Sequence, residues 1–135
     1  MFNSSQMYNC YSFATVKGIT TSIGGVVGSA NSSLNLDNLA SFDNVYSFAT
    51  VEGNRYVGIV AGYDEGYRAA HPVNMSNIYY CGDKNASGNY AERTATKLSE
   101  AQLTDGTLLE YLNNGVKNGY ATWVADENGY PVFNR

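Results

Sequence analysis

Apolar and polar positions alternate along three stretches of this chain, and two of the stretches are close copies. Residues 9–18 read Asn-Cys-Tyr-Ser-Phe-Ala-Thr-Val-Lys-Gly, and residues 44–53 read Asn-Val-Tyr-Ser-Phe-Ala-Thr-Val-Glu-Gly. Eight of these ten positions are identical at an offset of 35. A shorter third copy begins at Asn77 with Asn77-Ile78-Tyr79-Tyr80-Cys81-Gly82. The alternation predicts a strand from Cys10 to Val16, with Cys10, Ser12, Ala14 and Val16 pointing one way and Tyr11, Phe13 and Thr15 the other. The first set is small or β-branched in both full copies, which suits the inside of a narrow coil. The second set suits an outer face, where Tyr11 and Tyr46, and Phe13 and Phe48, stack as ladders. Rows of Phe on an outer face need cover from a loop or a neighbouring chain.

A second recurring pattern follows each copy. Ile23-Gly24-Gly25-Val26-Val27-Gly28 is matched by Val57-Gly58-Ile59-Val60-Ala61-Gly62 at an offset of 34. Glycine weakens a strand, so its return at equivalent places implies close backbone approach or a sharp bend at a corner. Between these patterns residues 29–43 and 63–76 differ from each other. Loops vary while stacked strands keep their pattern, so binding specific to this protein is expected on these two insertions. Repetition at this period predicts a mainly β fold: a short right-handed parallel β-helix or solenoid of two to three coils. The alternative is an antiparallel β-sandwich with the copies as equivalent strands.

The pattern changes after the third copy. Residues 82–95 read as a loop. Ser99-Glu100-Ala101-Gln102 has the spacing of a capping box. Leu108, Leu109 and Leu112 then form one helical face, ended by Asn113-Asn114-Gly115. Ala121 to Phe133 reads as two short strands around a turn. The organisation expected is residues 1–82 as repeats and 83–135 as a loop, helix and aromatic β cap, in one continuous globular unit. The cap would close the last coil's open edge and core. The N-terminus carries no charged region followed by an apolar run, and a chain opening inside a repeat is expected to continue upstream into further repeats.

Composition narrows the function classes. Only 15% of the 135 residues are charged, with Asn, Ser, Thr, Gly and Tyr in their place, as on many extracellular β proteins. The net charge of −4 comes with no basic stripe, which argues against nucleic acid and anionic membrane surfaces. No window of about 18 apolar residues exists, so membrane insertion is not expected. Cys10 lies opposite Val45 and Ile78, and Cys81 opposite Phe13 and Phe48. Two steps of about 4.8 Å exceed the roughly 7 Å that a disulfide tolerates, so both thiols are expected free.

Candidate chemistry is sparse. Gly24 to Ser29 lacks the helix that a phosphate-binding loop needs, and His71 has no nucleophile motif around it. Asp64, Glu65 and Asp83 lack a spacing that fixes two carboxylates for glycoside cleavage. No metal ligand set and no cofactor site are expected. Tyrosine carries most of the functional content, at twelve residues. Tyr56, Tyr63 and Tyr67 fall close together with Arg55 and Arg68, and aromatics beside hydrogen-bonding groups suit sugar rings or protein partners.

The arrangement resembles the GLUG repeats of large bacterial surface proteins. Gly25-Val26-Val27-Gly28 carries the motif, and Ile59-Val60-Ala61-Gly62 carries it more loosely. Asn9-Cys10-Tyr11 with Val16-Lys17-Gly18, and Asn44-Val45-Tyr46 with Val51-Glu52-Gly53, supply the accompanying strand. The tail, through Gly106 to Asn113, Trp123 and Gly129 to Phe133, is similar to a segment that follows such repeats. Val45 and Ile78 replace the family's Cys, and Ile59 replaces a Gly. The resemblance implies a secreted or surface-anchored bacterial protein, adhesive or structural and not an enzyme. Its implied partners are host or microbial glycans or surface proteins. A glycan-binding module and a polysaccharide-active enzyme are the alternatives carried forward.

Overall fold

The computed structural model describes residues 5–30, 40–64, 73–84 and 95–135. In chain order its strands and helices are β1 (Gln6–Lys17), β2 (Thr21–Gly24), β3 (Val27–Ala30), β4 (Ser41–Glu52), β5 (Arg55–Gly58), β6 (Ala61–Asp64), β7 (Asn74–Lys84), β8 (Thr96–Lys97), α1 (Glu100–Thr104), α2 (Thr107–Asn114), β9 (Trp123–Ala125) and β10 (Pro131–Phe133). The fold is mainly β. The largest sheet has the order β1-β4-β7-β8, and β2-β5 and β3-β6 form two smaller ones. All three are parallel, so the duplicated segments do not pair as the antiparallel alternative requires.

The register follows the sequence offsets. Tyr11 pairs with Tyr46, Phe13 with Phe48, Ala14 with Ala49 and Val16 with Val51. Tyr46 continues to Tyr79 and Phe48 to Cys81. In the small sheets Gly24 pairs with Gly58 and Val27 with Ala61. The close approach of β2 and β5 to β6 explains the glycine at 62. A Cβ on Gly62 would lie 2.5 Å from the Ile23 nitrogen and 2.6 Å from the Tyr56 carbonyl oxygen. Both are backbone atoms, so no side chain can give way there.

The strands are longer than the alternation suggested. β1 begins at Gln6, because the residues just ahead of each copy also pair: Gln6 with Ser41 and Ser41 with Asn74. Each long strand bends at its Asn. Asn9, Asn44 and Asn77 have φ of 51°, 59° and 52°, the left-handed region that Asn enters more readily than most residues. β7 likewise runs to Lys84, so residues 82–84 are strand where a loop was expected.

The facing of side chains is as the alternation predicts. Val45, Ile78 and Phe42 from the large sheet bury against Val60 and Ala61 from the corner and β6. Ala49 and Val51 bury against Val57 and Ile59. The serines of this inner set reach corner carbonyls: Ser12 Oγ donates to Gly25 O at 2.7 Å and Ser47 Oγ to Ile59 O at 2.6 Å. The hydroxyl is thereby satisfied in both full copies, half-buried at Ser12 and buried at Ser47.

The outer face holds the second core. Tyr46, Cys81, Leu98, Leu103, Leu108, Leu112 and Trp123 form one cluster, flanked by Tyr11, Phe48, Tyr79, Tyr130 and Phe133. The cover that the Phe rows need comes from the C-terminal segment of the same chain. The sequence reading placed this segment as an end cap. Only β8 takes that role, pairing with β7 at Tyr79 and Tyr80. α1, α2, β9 and β10 lie flat against the outer face, because that is where the large apolar area needs burying. The capping box forms as expected, with Ser99 Oγ accepting from the Gln102 amide. α2 ends at Gly115, and β9 and β10 pair antiparallel.

Candidate functional site

Of the five residues singled out from the sequence, Arg55, Tyr56 and Tyr63 are described, and Tyr67 and Arg68 lie outside the described residues. Arg55 and Tyr56 open β5, and Tyr63 is in β6. The turn from β5 to β6 brings the two tyrosine rings to 4.9 Å between centroids at 58°. The Arg55 guanidinium lies 4.4 Å from the Tyr56 ring centroid, and its Nη2 donates to the Tyr56 hydroxyl. Tyr56 has φ of 53°. A bulky residue in that region carries strain and often marks a functional position. Here Ser22, its counterpart in β2, has φ of 62°, so the strained backbone recurs at this position in both of the paired strands β2 and β5. The cluster therefore offers two tilted aromatic faces and one exposed cation.

Most of residues 29–43 and 63–76, where specific binding was expected, fall in 31–39 and 65–72, outside the described residues. The same holds for His71 and Glu65. Asp83 lines an open depression of about 190 Å³ with Thr50, Val51, Glu52 and Lys84. Among the described residues no group of three His, Cys, Asp or Glu side chains is placed to hold a metal ion. No helix there is long and apolar enough to cross a membrane.

A polar junction unannounced by any motif ties the C-terminal segment to the sheet. Lys117 Nζ lies 2.8 Å from Asp43 Oδ2 and 4.5 Å from the Tyr8 ring centroid. Asp43 Oδ1 also accepts from Ser76 Oγ and Asn77 Nδ2, each at 2.9 Å. Partial burial raises the Asp43 carboxyl, and the bonds from Lys117, Asn77 and Ser76 together outweigh it, so it titrates below the usual range. The Tyr8 hydroxyl donates to Gly115 O and accepts from the Lys117 amide. The recurrence of Asn at 9, 44 and 77 was the readable signal for this region. Asn44 Nδ2 donates to Asn9 Oδ1 at 2.6 Å, and Asn9 Nδ2 to Ala121 O at 3.2 Å.

Both thiols are free. Their separation is also one of face: Cys10 packs with the inner cluster and Cys81 with the outer. Burial raises both thiols above their ordinary value, which leaves them as thiols and not thiolates at neutral pH. No protein-family model matches this chain, and no curated protein or solved structure does.

Proposed function

We propose that this chain is a non-catalytic structural or adhesive module of a secreted or cell-surface bacterial protein, with its three copies wound as a short right-handed parallel β-solenoid. The observation that carries the reading is the ladder set. Three separate parallel sheets follow the repeat offsets, with Tyr on Tyr and Phe on Phe in the largest. A right-handed crossover is the hand that parallel strands take almost without exception. The Lys17–Glu52 ion pair joins one coil to the next, and the Asp43–Lys117 ion pair joins a coil to the C-terminal segment. The likeness of residues 9–18 and 44–53, with Gly25 to Gly28 and Ile59 to Gly62, to GLUG repeats, and of 106–133 to a segment that follows such repeats, supports a bacterial surface setting, as does the low charge.

A second reading is carbohydrate binding by Arg55, Tyr56 and Tyr63, with Tyr67 and Arg68 nearby in sequence. The paired rings and the guanidinium favour it, since sugar rings stack on aromatic faces and their hydroxyls accept from Arg. One experiment separates the readings. The purified chain is incubated with a panel of insoluble polysaccharides, and both protein depletion and released reducing ends or unsaturated sugars are measured. A structural module shows neither. Depletion that Tyr63→Ala abolishes makes it a glycan-binding module, and turnover of any polysaccharide overturns the non-catalytic reading.

A further inference from the structure

The two ends of the large sheet differ. At one end β8 pairs with β7, and Leu98 buries behind it with its amide donating to Tyr80 O at 2.8 Å. At the other end no described strand pairs with the free edge of β1. This edge is twelve residues long, contains no Pro, and carries one charge, Lys17, already paired with Glu52 at 3.0 Å. Natural sheets blunt free edges with charge, Pro or irregularity, and β1 has little of these.

The burial of equivalent residues grades toward this edge. Val45, Phe42, Val60 and Ala61 are buried, yet their partners one coil earlier, Cys10, Met7, Val26 and Val27, are half-buried. On the outer face Phe48 is half-buried, whereas Phe13 is 45% exposed. The inner and the outer core therefore both open on the same side.

The Asn row gives that side a polarity. Asn44 Nδ2 donates one coil back to Asn9 Oδ1, and Asn77 Nδ2 donates one coil back to Asp43 Oδ1. Asn9 turns its oxygen to Asn44. Its Nδ2 donates to Ala121 O and lies exposed. A strand that continues the row in the same sense offers an oxygen toward the Asn9 amide. It must also bend where β1 bends, at the left-handed Asn9, which an antiparallel strand would not do in phase.

We propose that the β1 edge is a docking site for a further strand of this same repeat, added parallel and in register. The strand carries Asn or Asp opposite Asn9, an apolar residue opposite Cys10, and aromatics opposite Tyr11 and Phe13. The inference rests on the solenoid reading and names the partner of its open end. Main-chain pairing supplies affinity and the alternate side-chain positions supply selectivity. Twelve residues at about 3.3 Å each cover roughly 40 Å of edge.

The test uses a fluorescent peptide with the sequence of Ser41–Glu52, titrated with the full chain and followed by anisotropy and amide exchange. Saturable binding at least tenfold tighter than a shuffled peptide is expected, with new protection on β1 amides. The peptide carrying Asn44→Leu should lose most of that advantage. Equal binding of the shuffled peptide, or protection appearing at β7 and β8, overturns the proposal. So does a chain whose β1 amides are protected by self-association, since a second copy then occupies the edge. If β4 amides exchange freely in the chain alone, the stacked fold itself fails and the docking site with it. If they are protected and no peptide binds, only the docking site fails.

Discussion

Replacing Tyr46 with Phe removes one oxygen atom from the middle of the molecule. Tyr46 is fully buried, stacks on Tyr11 at 5.5 Å, and its hydroxyl donates to Pro131 O at 2.6 Å. The acceptor has no substitute. In the β9–β10 hairpin the Asp126 amide donates to Tyr130 O and the Asn134 amide to Thr122 O. Antiparallel ladders alternate bonded and non-bonded pairs, so the Pro131–Ala125 pair is a non-bonded one and Pro131 O points away from β9. Pro131 is itself buried, so water does not replace the phenol. Losing the hydrogen bond costs about 1 kcal/mol, and an orphaned buried carbonyl raises the total to roughly 2–3 kcal/mol. For a chain of 135 residues this corresponds to a fall in Tm of about 6–12 °C. Ring volume and the aromatic contacts stay, so the denaturant m-value should not change. Tyr79→Phe, its partner on the next strand and half-buried, serves as the control and should cost under about 0.5 kcal/mol. Urea unfolding of both variants measures the difference. A Tyr46→Phe variant within about 0.5 kcal/mol of the parent would show that the C-terminal segment does not dock on this face as described.

Three further outcomes follow from the same structure. Gly62→Ala should destabilise by roughly 1–3 kcal/mol or more in the same urea assay, because the new methyl meets backbone at 2.5–2.6 Å; a neutral result would deny the close backbone approach at β6. Asp43 titrates below its ordinary 3.8 in the fold, so its contribution is present above that value and declines as pH falls through and below it. Burial raises the Tyr46 hydroxyl above its ordinary 10.0, so its contribution is whole below pH 10 and declines as pH rises beyond. A pH series of Tm should show both flanks, with the acid flank reduced in Asp43→Asn and the alkaline flank in Tyr46→Phe. Thiol titration should find Cys81 unreactive until unfolding and Cys10 slow, and oxidation should yield no intramolecular disulfide; its appearance would contradict the register that places the two thiols on opposite faces.

The candidate site was legible in part. Arg55, Tyr56 and Tyr63 do meet, because adjacent positions and a short corner bring β5 and β6 together. The Tyr8, Asp43, Lys117 and Asn77 junction was legible only on its sheet side, where Tyr8 and Asp43 pair at the repeat offset beside the recurring Asn. Lys117 shares no period with them and joins only once the C-terminal segment has docked.

The sequence by itself determined the stacking. Offsets of 35, and of 34 after the turn, are the ladder registers, because in-register parallel strands place equivalent residues side by side. It determined which set of side chains faces in, the glycine corners, the capping box at Ser99 and the closing hairpin, all of them local or periodic signals. The tertiary structure decided where the last third of the chain lies. Nothing periodic links Trp123, Leu108 and Leu112 to Tyr11 and Tyr46. The hydrophobic effect has no direction of its own, and the C-terminal apolar side chains bury on the aromatic face of the large sheet. The bends at Asn9, Asn44 and Asn77 were likewise settled only in three dimensions. Asn permits the left-handed backbone, but it takes that conformation here because the neighbouring strand bends at the same place.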